Sequence, residues 1–107
     1  MKRYELRNDK GNDIAFTGEL IASVDSRDFR RAPGVPTRWT ELRLYETRAG
    51  KFICEICGRA TNPGEVDRFQ VKVANNEREV FRNFKSTYLS KALFDEAGLT
   101  DAPMEVE

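Results

Sequence analysis

The sequence predicts an α+β domain: an antiparallel sheet of about five strands, two N-terminal hairpins among them, with one or two C-terminal helices packed on one face. Three observations lead to this prediction. Apolar and polar residues alternate through much of residues 1–74, apolar residues recur at helical spacing after residue 75, and turn-forming residues separate the segments. A chain of 107 residues fits a single domain over 1–107, whose last residues, 100–107, form an acidic tail that is expected to fray.

The first hairpin is predicted over residues 2–7 and 13–24, with a turn cluster of Asn, Asp, Lys and Gly at 8–12 between its strands. In the second of these strands the even positions from Ile14 to Val24 are apolar or Gly. This alternation predicts that the even face is buried. Gly18 lies inside the run, where a bulge or a close crossing of strands is expected.

The second hairpin is predicted over residues 38–47 and 51–57, joined by the loop Arg48-Ala49-Gly50. A three-residue loop that ends in Gly is typical of a type I turn followed by a left-handed Gly bulge. This loop pairs Thr47 with Lys51, so that apolar residues oppose one another and unlike charges meet. The predicted pairs are Leu44 with Cys54, Leu42 with Ile56, Tyr45 with Ile53, Arg43 with Glu55, and Trp39 with Arg59.

Two irregular segments and one further strand complete the predicted sheet. Residues 25–38 contain two Pro and one Gly, which indicate a surface loop. Residues 59–68 contain Asn62-Pro63-Gly64, a strong turn signal. Apolar residues then alternate with polar ones over 69–73, which predicts the fifth strand.

The last third of the chain changes to helical spacing. A short first helix is predicted after a cap at Asn75 or Asn76, with acidic residues in its first turn. A second helix is predicted after a cap at Ser86 or Thr87. Gly98, followed by an apolar residue, is the expected stop of this second helix.

The composition argues against several classes of function. Lys and Arg together number 18, as do Asp and Glu, so the formal net charge is zero and a general polyanion binder is not expected. The chain has no His, the commonest general base and metal ligand. The acids Glu41, Glu46 and Glu55 alternate with arginines, as pairs on a solvent-facing side would. We therefore predict a protein that is not an enzyme and holds no cofactor and no metal.

The location is predicted from three further features. The N-terminal residues are charged and lack the apolar segment of a secretory signal. No apolar run is long enough to cross a membrane, so no membrane partner is expected. Two Cys in a chain without a signal peptide suggest reduced thiols. These features predict the cytoplasm of a bacterial host cell.

The motif Cys54-Glu55-Ile56-Cys57 has two interpretations. Zinc needs four ligands, and two thiols supply only half of them, so a metal site would require a second subunit. On a regular strand Cys54 and Cys57 point to opposite faces, and Cys54 then resembles a small core residue. We favour structural cysteines and keep a zinc site between two subunits as a third hypothesis.

Two groups of side chains are candidates for contact with a partner. If helices cover one face of the sheet, aromatic residues of the second hairpin remain on the other face, open to a protein partner or to a second copy of the chain. Together with the arginine-rich loop they give the predicted partner-binding residues Phe29, Arg30, Arg31, Trp39 and Tyr45. The alternative is contact with nucleic-acid phosphates through Arg27, Arg30, Arg31 and Arg38.

The stretch from Arg38 to Phe52, together with Phe16-Thr17-Gly18-Glu19-Leu20, resembles small proteins of bacteria and mobile elements, among them the family named for its EXLDI motif. The resemblance implies a small sheet-based domain and no catalytic residues. It also moves the functional prediction toward proteins of phages and plasmids. We predict a non-enzymatic protein-interaction module, in its sharper form an inhibitor of a host defence complex like the anti-CRISPR proteins; the alternative is a nucleic-acid-binding accessory protein.

Overall fold

The computed structural model describes residues 1–99, and it confirms the α+β class. Five antiparallel strands form one sheet in the order β1-β2-β3-β4-β5, and two helices follow them. The predicted acidic tail at 100–107 lies outside the described residues. The elements are β1 (Lys2–Leu6), β2 (Ile14–Asp25), a 3₁₀ helix (Ser26–Phe29), β3 (Arg38–Thr47), β4 (Phe52–Ala60), β5 (Arg68–Ala74), α1 (Glu77–Phe84) and α2 (Tyr88–Ala97).

The register of the second hairpin is the predicted one. The Thr47 backbone N–H donates to the Lys51 carbonyl oxygen at 2.7 Å, and Gly50 has the left-handed φ of 84° that the three-residue loop requires. Every later pair follows from this closure. The structure pairs Leu44 with Cys54, Leu42 with Ile56, Tyr45 with Ile53, Arg43 with Glu55, and Trp39 with Arg59.

The sheet curls until the turn after β1 reaches β5. The Asp9 backbone N–H donates to the Phe69 carbonyl at 2.8 Å, and the Phe69 N–H donates back to Asp9 Oδ2 at 2.8 Å. A third bond runs from the Val71 N–H to Asn8 Oδ1 at 3.3 Å. These bonds satisfy part of the open edge of β5 and enclose one face of the sheet.

The curl gives the domain two apolar clusters. One lies between the sheet and the helices and includes Ala22, Leu42, Leu44, Cys54, Val80, Phe84, Leu89 and Leu93. The other lies inside the curl, where Tyr4, Leu6 and Ile14 border the buried residues Phe16, Tyr45, Ile53 and Val71. Both faces of β3 and β4 are therefore buried.

The prediction of one buried even face in β2 is wrong. The pairing of β2 with β3 shifts between Leu20 and Ala22, which marks a bulge. A bulge inserts one extra residue and so exchanges the two faces. As a result Phe16 packs inside the curl, Ala22 packs under the helices, and Leu20 is exposed. The predicted close crossing at Gly18 is confirmed opposite Thr47, and the bulge follows it.

Polar side chains cap the start of both helices, and a glycine ends α2, as predicted. Asn76 accepts a hydrogen bond from the Glu79 N–H at 3.0 Å and begins α1. Thr87 and Ser90 form a reciprocal capping box at the start of α2. Gly98 is left-handed, and the following N–H, that of Leu99, donates to the Phe94 carbonyl at 2.9 Å.

Candidate binding groove

An open groove lies at the end of the sheet that the helices leave uncovered. The helices pack over the middle of β3 and β4, whereas the strands continue to Arg38 and Ala60. The groove has a volume of about 860 Å³. We call it the end groove, and its floor consists of Leu42, Ile56 and Gly58 of β3 and β4. One wall consists of Phe84, Tyr88 and Leu89 of the helices, and the opposite wall consists of Glu65, Val66 and Arg68. One end is closed by Arg38 and Trp39.

The arginine-rich loop borders the end groove. Ser26 accepts a hydrogen bond from the Thr40 backbone N–H at 2.9 Å, which holds the 3₁₀ helix against β3. Phe29 is 46% exposed, and its ring meets that of Tyr88 edge-on, 5.9 Å between centroids. A smaller depression of about 190 Å³ contacts Phe29, Arg30, Trp39 and Tyr88. Predicted partner residues of the loop thus adjoin the groove.

Two of the four arginines predicted to bind nucleic acid are held by carboxylates. Arg27 bonds Asp25 at 2.7 Å and lies 4.2 Å over the Trp39 ring. Arg38 bonds Glu65 at 2.7 Å. The hydrogen bond from each arginine lowers the pKa of its carboxyl group, Asp25 or Glu65, below the ordinary value.

The other two arginines of the loop are more available. Arg30 donates two long bonds of 3.4 Å to the carbonyls of Ala32 and Pro33. Arg31 is exposed on the same loop. Neither forms an ion pair within residues 1–99. The structure thus divides the predicted set into two arginines with an ion pair and two without one among residues 1–99.

Sequence reasoning missed three residues of the groove. Val66 is 74% exposed and Tyr88 is 64% exposed, on opposite walls. Arg68 is exposed beside Val66 and, like Arg30, has no ion pair among residues 1–99. Tyr88 carried a usable signal, because it lies beside the apolar positions of α2 and not among them. Val66 and Arg68 carried none, since their contact with the groove depends on how the β4–β5 loop folds and on where β5 begins.

The prediction that Tyr45 contacts a partner is wrong. Its side chain is only 4% exposed. The ring packs edge-on against Tyr4 and Phe16, with centroids 4.9 and 5.3 Å away, and its hydroxyl donates to Glu55 Oε1 at 2.8 Å. Burial, and then the bond to Glu55, raise the pKa of Tyr45. The expected open aromatic face lies inside the curl, which β1 and its turn close.

The acids of this hairpin also depart from prediction. Glu41 and Glu55 are buried, not solvent-facing, while Glu46 is exposed as expected. Glu41 and Glu55 belong to a group of charged residues inside the curl. We call this group the inner ionic cluster, and its members are Glu41, Arg43, Glu55, Arg59 and Asp67. The predicted pairing of Arg43 with Glu55 is present at 3.3 Å, and Arg43 also bonds Glu41. Unlike charges thus satisfy one another in a site that is only partly open to water.

The inner ionic cluster positions the end of the groove. Glu41 Oε2 accepts a bond from Trp39 Nε1 at 2.9 Å and another from Arg59 at 3.3 Å. Burial would raise the pKa of Glu41, but the bonds from Trp39 and Arg59 outweigh it, so the pKa is lowered. Arg59 also bonds Asp67 at 3.1 Å, and Asp67 accepts the Ala60 N–H at 3.0 Å. The cluster therefore ties Trp39 to the β4–β5 loop.

The two cysteines lie on opposite faces of β4, as predicted. The Cys54 sulfur lies 3.7 Å from Asn83 Nδ2 under α1, and the Cys57 sulfur accepts a bond from Arg43 at 3.3 Å inside the curl. The two thiols therefore cannot ligate the same ion. Burial is the main cause that raises the pKa of each thiol to about 11.

We expect both thiols of the native protein to react slowly with a disulfide reagent such as Ellman's reagent at pH 8. The thiolate is the reactive form, and burial keeps Cys54 and Cys57 protonated and shielded. Absorbance at 412 nm follows the reaction, with the protein in 8 M urea as the control in which both thiols react at once. Rapid reaction of two thiols in the native protein would contradict this placement.

Comparisons with family models, with curated proteins and with solved structures give no match. The resemblance to the EXLDI family stays a prediction. Within residues 1–99, neither helix has the length and apolar composition needed to span a lipid bilayer. The same residues hold no group of three or more Cys, Asp or Glu side chains arranged to bind a metal ion.

Proposed function

We propose that this chain is a non-enzymatic protein-interaction module and that the end groove is its binding surface. The observation that carries the proposal is the exposure of Phe29, Val66 and Tyr88 around one groove. Large apolar side chains that ring a concave surface are typical of protein-binding sites, and aromatic residues are enriched there. Phe29, Arg30, Arg31 and Trp39 remain in the proposed contact set, and Tyr45 is removed from it.

A protein partner fits this surface better than a nucleic acid. The floor of the groove is apolar, with Leu42 and Ile56 between the walls. Arg27 and Arg38, which would have to contact phosphates, are bound to Asp25 and Glu65. Non-specific binding of nucleic acid depends on cations that are free to replace counterions along the phosphate backbone.

The narrower form of the proposal is an inhibitor that binds a host defence complex in the bacterial cytoplasm. Its support is the resemblance of residues 38–52 and 16–20 to proteins of mobile elements, together with the exposed apolar residues at the end groove. Expression of the chain in bacteria with an active CRISPR system is expected to restore plaque formation by a targeted phage. Unchanged plaque numbers would remove this narrower form and leave the module itself standing.

Site-specific photo-cross-linking tests the module directly. A benzophenone amino acid at Tyr88 reports on the groove, and the same amino acid at Val73, exposed on β5 away from the groove, is the matched control. We expect one bacterial protein to cross-link from position 88 and not from 73, and to be lost when Val66→Asp is added. Identical products from both positions, a product with nucleic acid, or a product only with a second copy of this chain would contradict the proposal.

A further inference from the structure

We infer that the segment bound in the end groove is an acidic amphipathic peptide of the partner protein, with apolar side chains on the floor and carboxylates toward the arginines. This inference rests on the proposed function and adds the chemistry of the partner. It follows from the charges around the groove and from the position of its apolar residues.

The charges that line the groove and the adjoining depression are strongly one-sided. The arginines whose charged groups lie outside the inner ionic cluster are four, Arg27, Arg30, Arg38 and Arg68, and Glu65 is the single acid among the lining residues. Carboxylates of the same chain pair with Arg27 and Arg38. Arg30 and Arg68 have no such pair within residues 1–99, so two positive charges remain for a partner. An acidic segment complements this surface, and a basic one is repelled by it.

The apolar residues of the groove lie between these two free charges. Val66 and Tyr88 stand on opposite walls above Leu42 and Ile56, while Arg68 adjoins Val66 and Arg30 adjoins Tyr88 through the depression. A segment that crosses this surface meets a cation on each side of an apolar centre. Large apolar anchors flanked by acids match that order, because apolar burial contributes affinity and the charges contribute specificity.

The same arrangement disfavours a nucleic acid as the occupant. Phe29 and Tyr88 are the exposed aromatic rings at the groove, and they contact each other edge-on. Binding of single strands uses aromatic faces on which successive bases stack and a continuous track of free cations. Along the described groove Leu42, Ile56 and Val66 are apolar and aliphatic, and Arg38 is paired with Glu65, so the cations do not form a continuous free track.

A peptide selection tests the inference with the full chain. A phage-displayed library of random 12-residue peptides is selected on the immobilised protein and depleted on the variant Val66→Ser/Tyr88→Ser, whose changes are both at exposed positions. The most enriched peptides are synthesised with a fluorescent label and titrated by anisotropy. We expect groove-dependent peptides with a net negative charge and at least two large apolar residues.

Charge reversal then separates specific complementarity from general attraction. Arg30→Glu/Arg68→Glu is expected to weaken the enriched peptide at least about tenfold. The matched control is Arg48→Glu/Lys51→Glu, which makes the same change of net charge in the exposed β3–β4 turn at the far end of β3. We expect that control to change the affinity less than about twofold, since screened charges beyond a Debye length of about 8 Å contribute little.

Three outcomes would overturn the inference. Neutral or basic groove-dependent peptides would exclude an acidic partner and would leave the proposed module intact. Equal losses with both charge-reversed variants would show that attraction is general and not local. An enrichment that does not depend on Val66 and Tyr88, accompanied by tight binding of a 12-nucleotide poly-dT strand, would overturn both this inference and the proposed function.

Discussion

Glu41→Ala is expected to lower the free energy of unfolding by about 3 kcal/mol, because it removes the acceptor that Trp39 and two arginines share inside the curl. Glu41 is 9% exposed and bonds Arg43, Arg59 and Trp39. Arg43 keeps Glu55 and Arg59 keeps Asp67, so the cost comes from donors that lose their acceptor, with Trp39 Nε1 left without a partner. The side chains of Arg43 and Arg59 remain about a quarter exposed, which keeps the cost moderate.

Urea unfolding followed by circular dichroism measures this effect. Glu65→Ala is the matched control, because it removes a carboxylate from a solvent-exposed pair with Arg38, and its unfolding midpoint should stay close to wild type. The pKa of Glu41 is lowered in the folded state, so its stabilising contribution is present above the unfolded value of 4.5 and is lost as the pH falls. When the pH is lowered from 7 to below 4.5, the free energy of unfolding should therefore fall less for Glu41→Ala than for the wild type. Equal effects of the two substitutions would contradict a buried cluster.

Gly18→Ala is expected to destabilise the protein by about 3 kcal/mol, at the upper end of the overpacking range, because the obstacle is backbone. Gly18 lies opposite Thr47 where β2 crosses β3. A β-carbon at residue 18 would overlap the Glu46 carbonyl oxygen and lie 3.0 Å from Thr47 Cα. The backbone of β3 cannot move away without breaking the pairs that follow it toward Tyr45.

Gly58→Ala is the matched control for this clash. Gly58 is also a glycine within a strand, but a β-carbon there would lie 3.8 Å from the Arg68 β-carbon, an ordinary contact. We expect its stability to be unchanged or raised by up to about 1 kcal/mol, since Ala restricts the unfolded chain more than Gly. Thermal unfolding of both variants decides the point: a wild-type melting temperature for Gly18→Ala would show that β2 and β3 do not approach so closely.

The candidate site was predicted unevenly. The loop residues Phe29, Arg30 and Arg31 were predicted because arginines beside an aromatic are conspicuous in any surface loop, and their role in binding stays a prediction. Tyr45 was misassigned because a residue's face along a strand does not reveal whether that face is covered. Val66 escaped notice because it lies in the β4–β5 loop, and Arg68 because it begins β5 where that loop ends; loop conformation has no period in the sequence.

The sequence by itself determined the local structure. Turn length and side-chain complementarity set the register from Thr47 to Trp39, and caps and glycines set the helix ends at Asn76, Thr87 and Gly98. These features depend on residues that are near in the chain or directly paired, so their energies can be read locally.

Only the tertiary structure decided which surfaces meet solvent. The bulge after Leu20 exchanges the faces of β2, and the bonds between Asp9 and Phe69 close the curl over Tyr45, Glu41 and Glu55. The first result depends on pairing between β2 and β3, and the second on a contact between residues 60 positions apart; no local period encodes either. The curl buries the aromatic face that was predicted to bind a partner, and on the other face the helices leave the end groove open with exposed apolar residues.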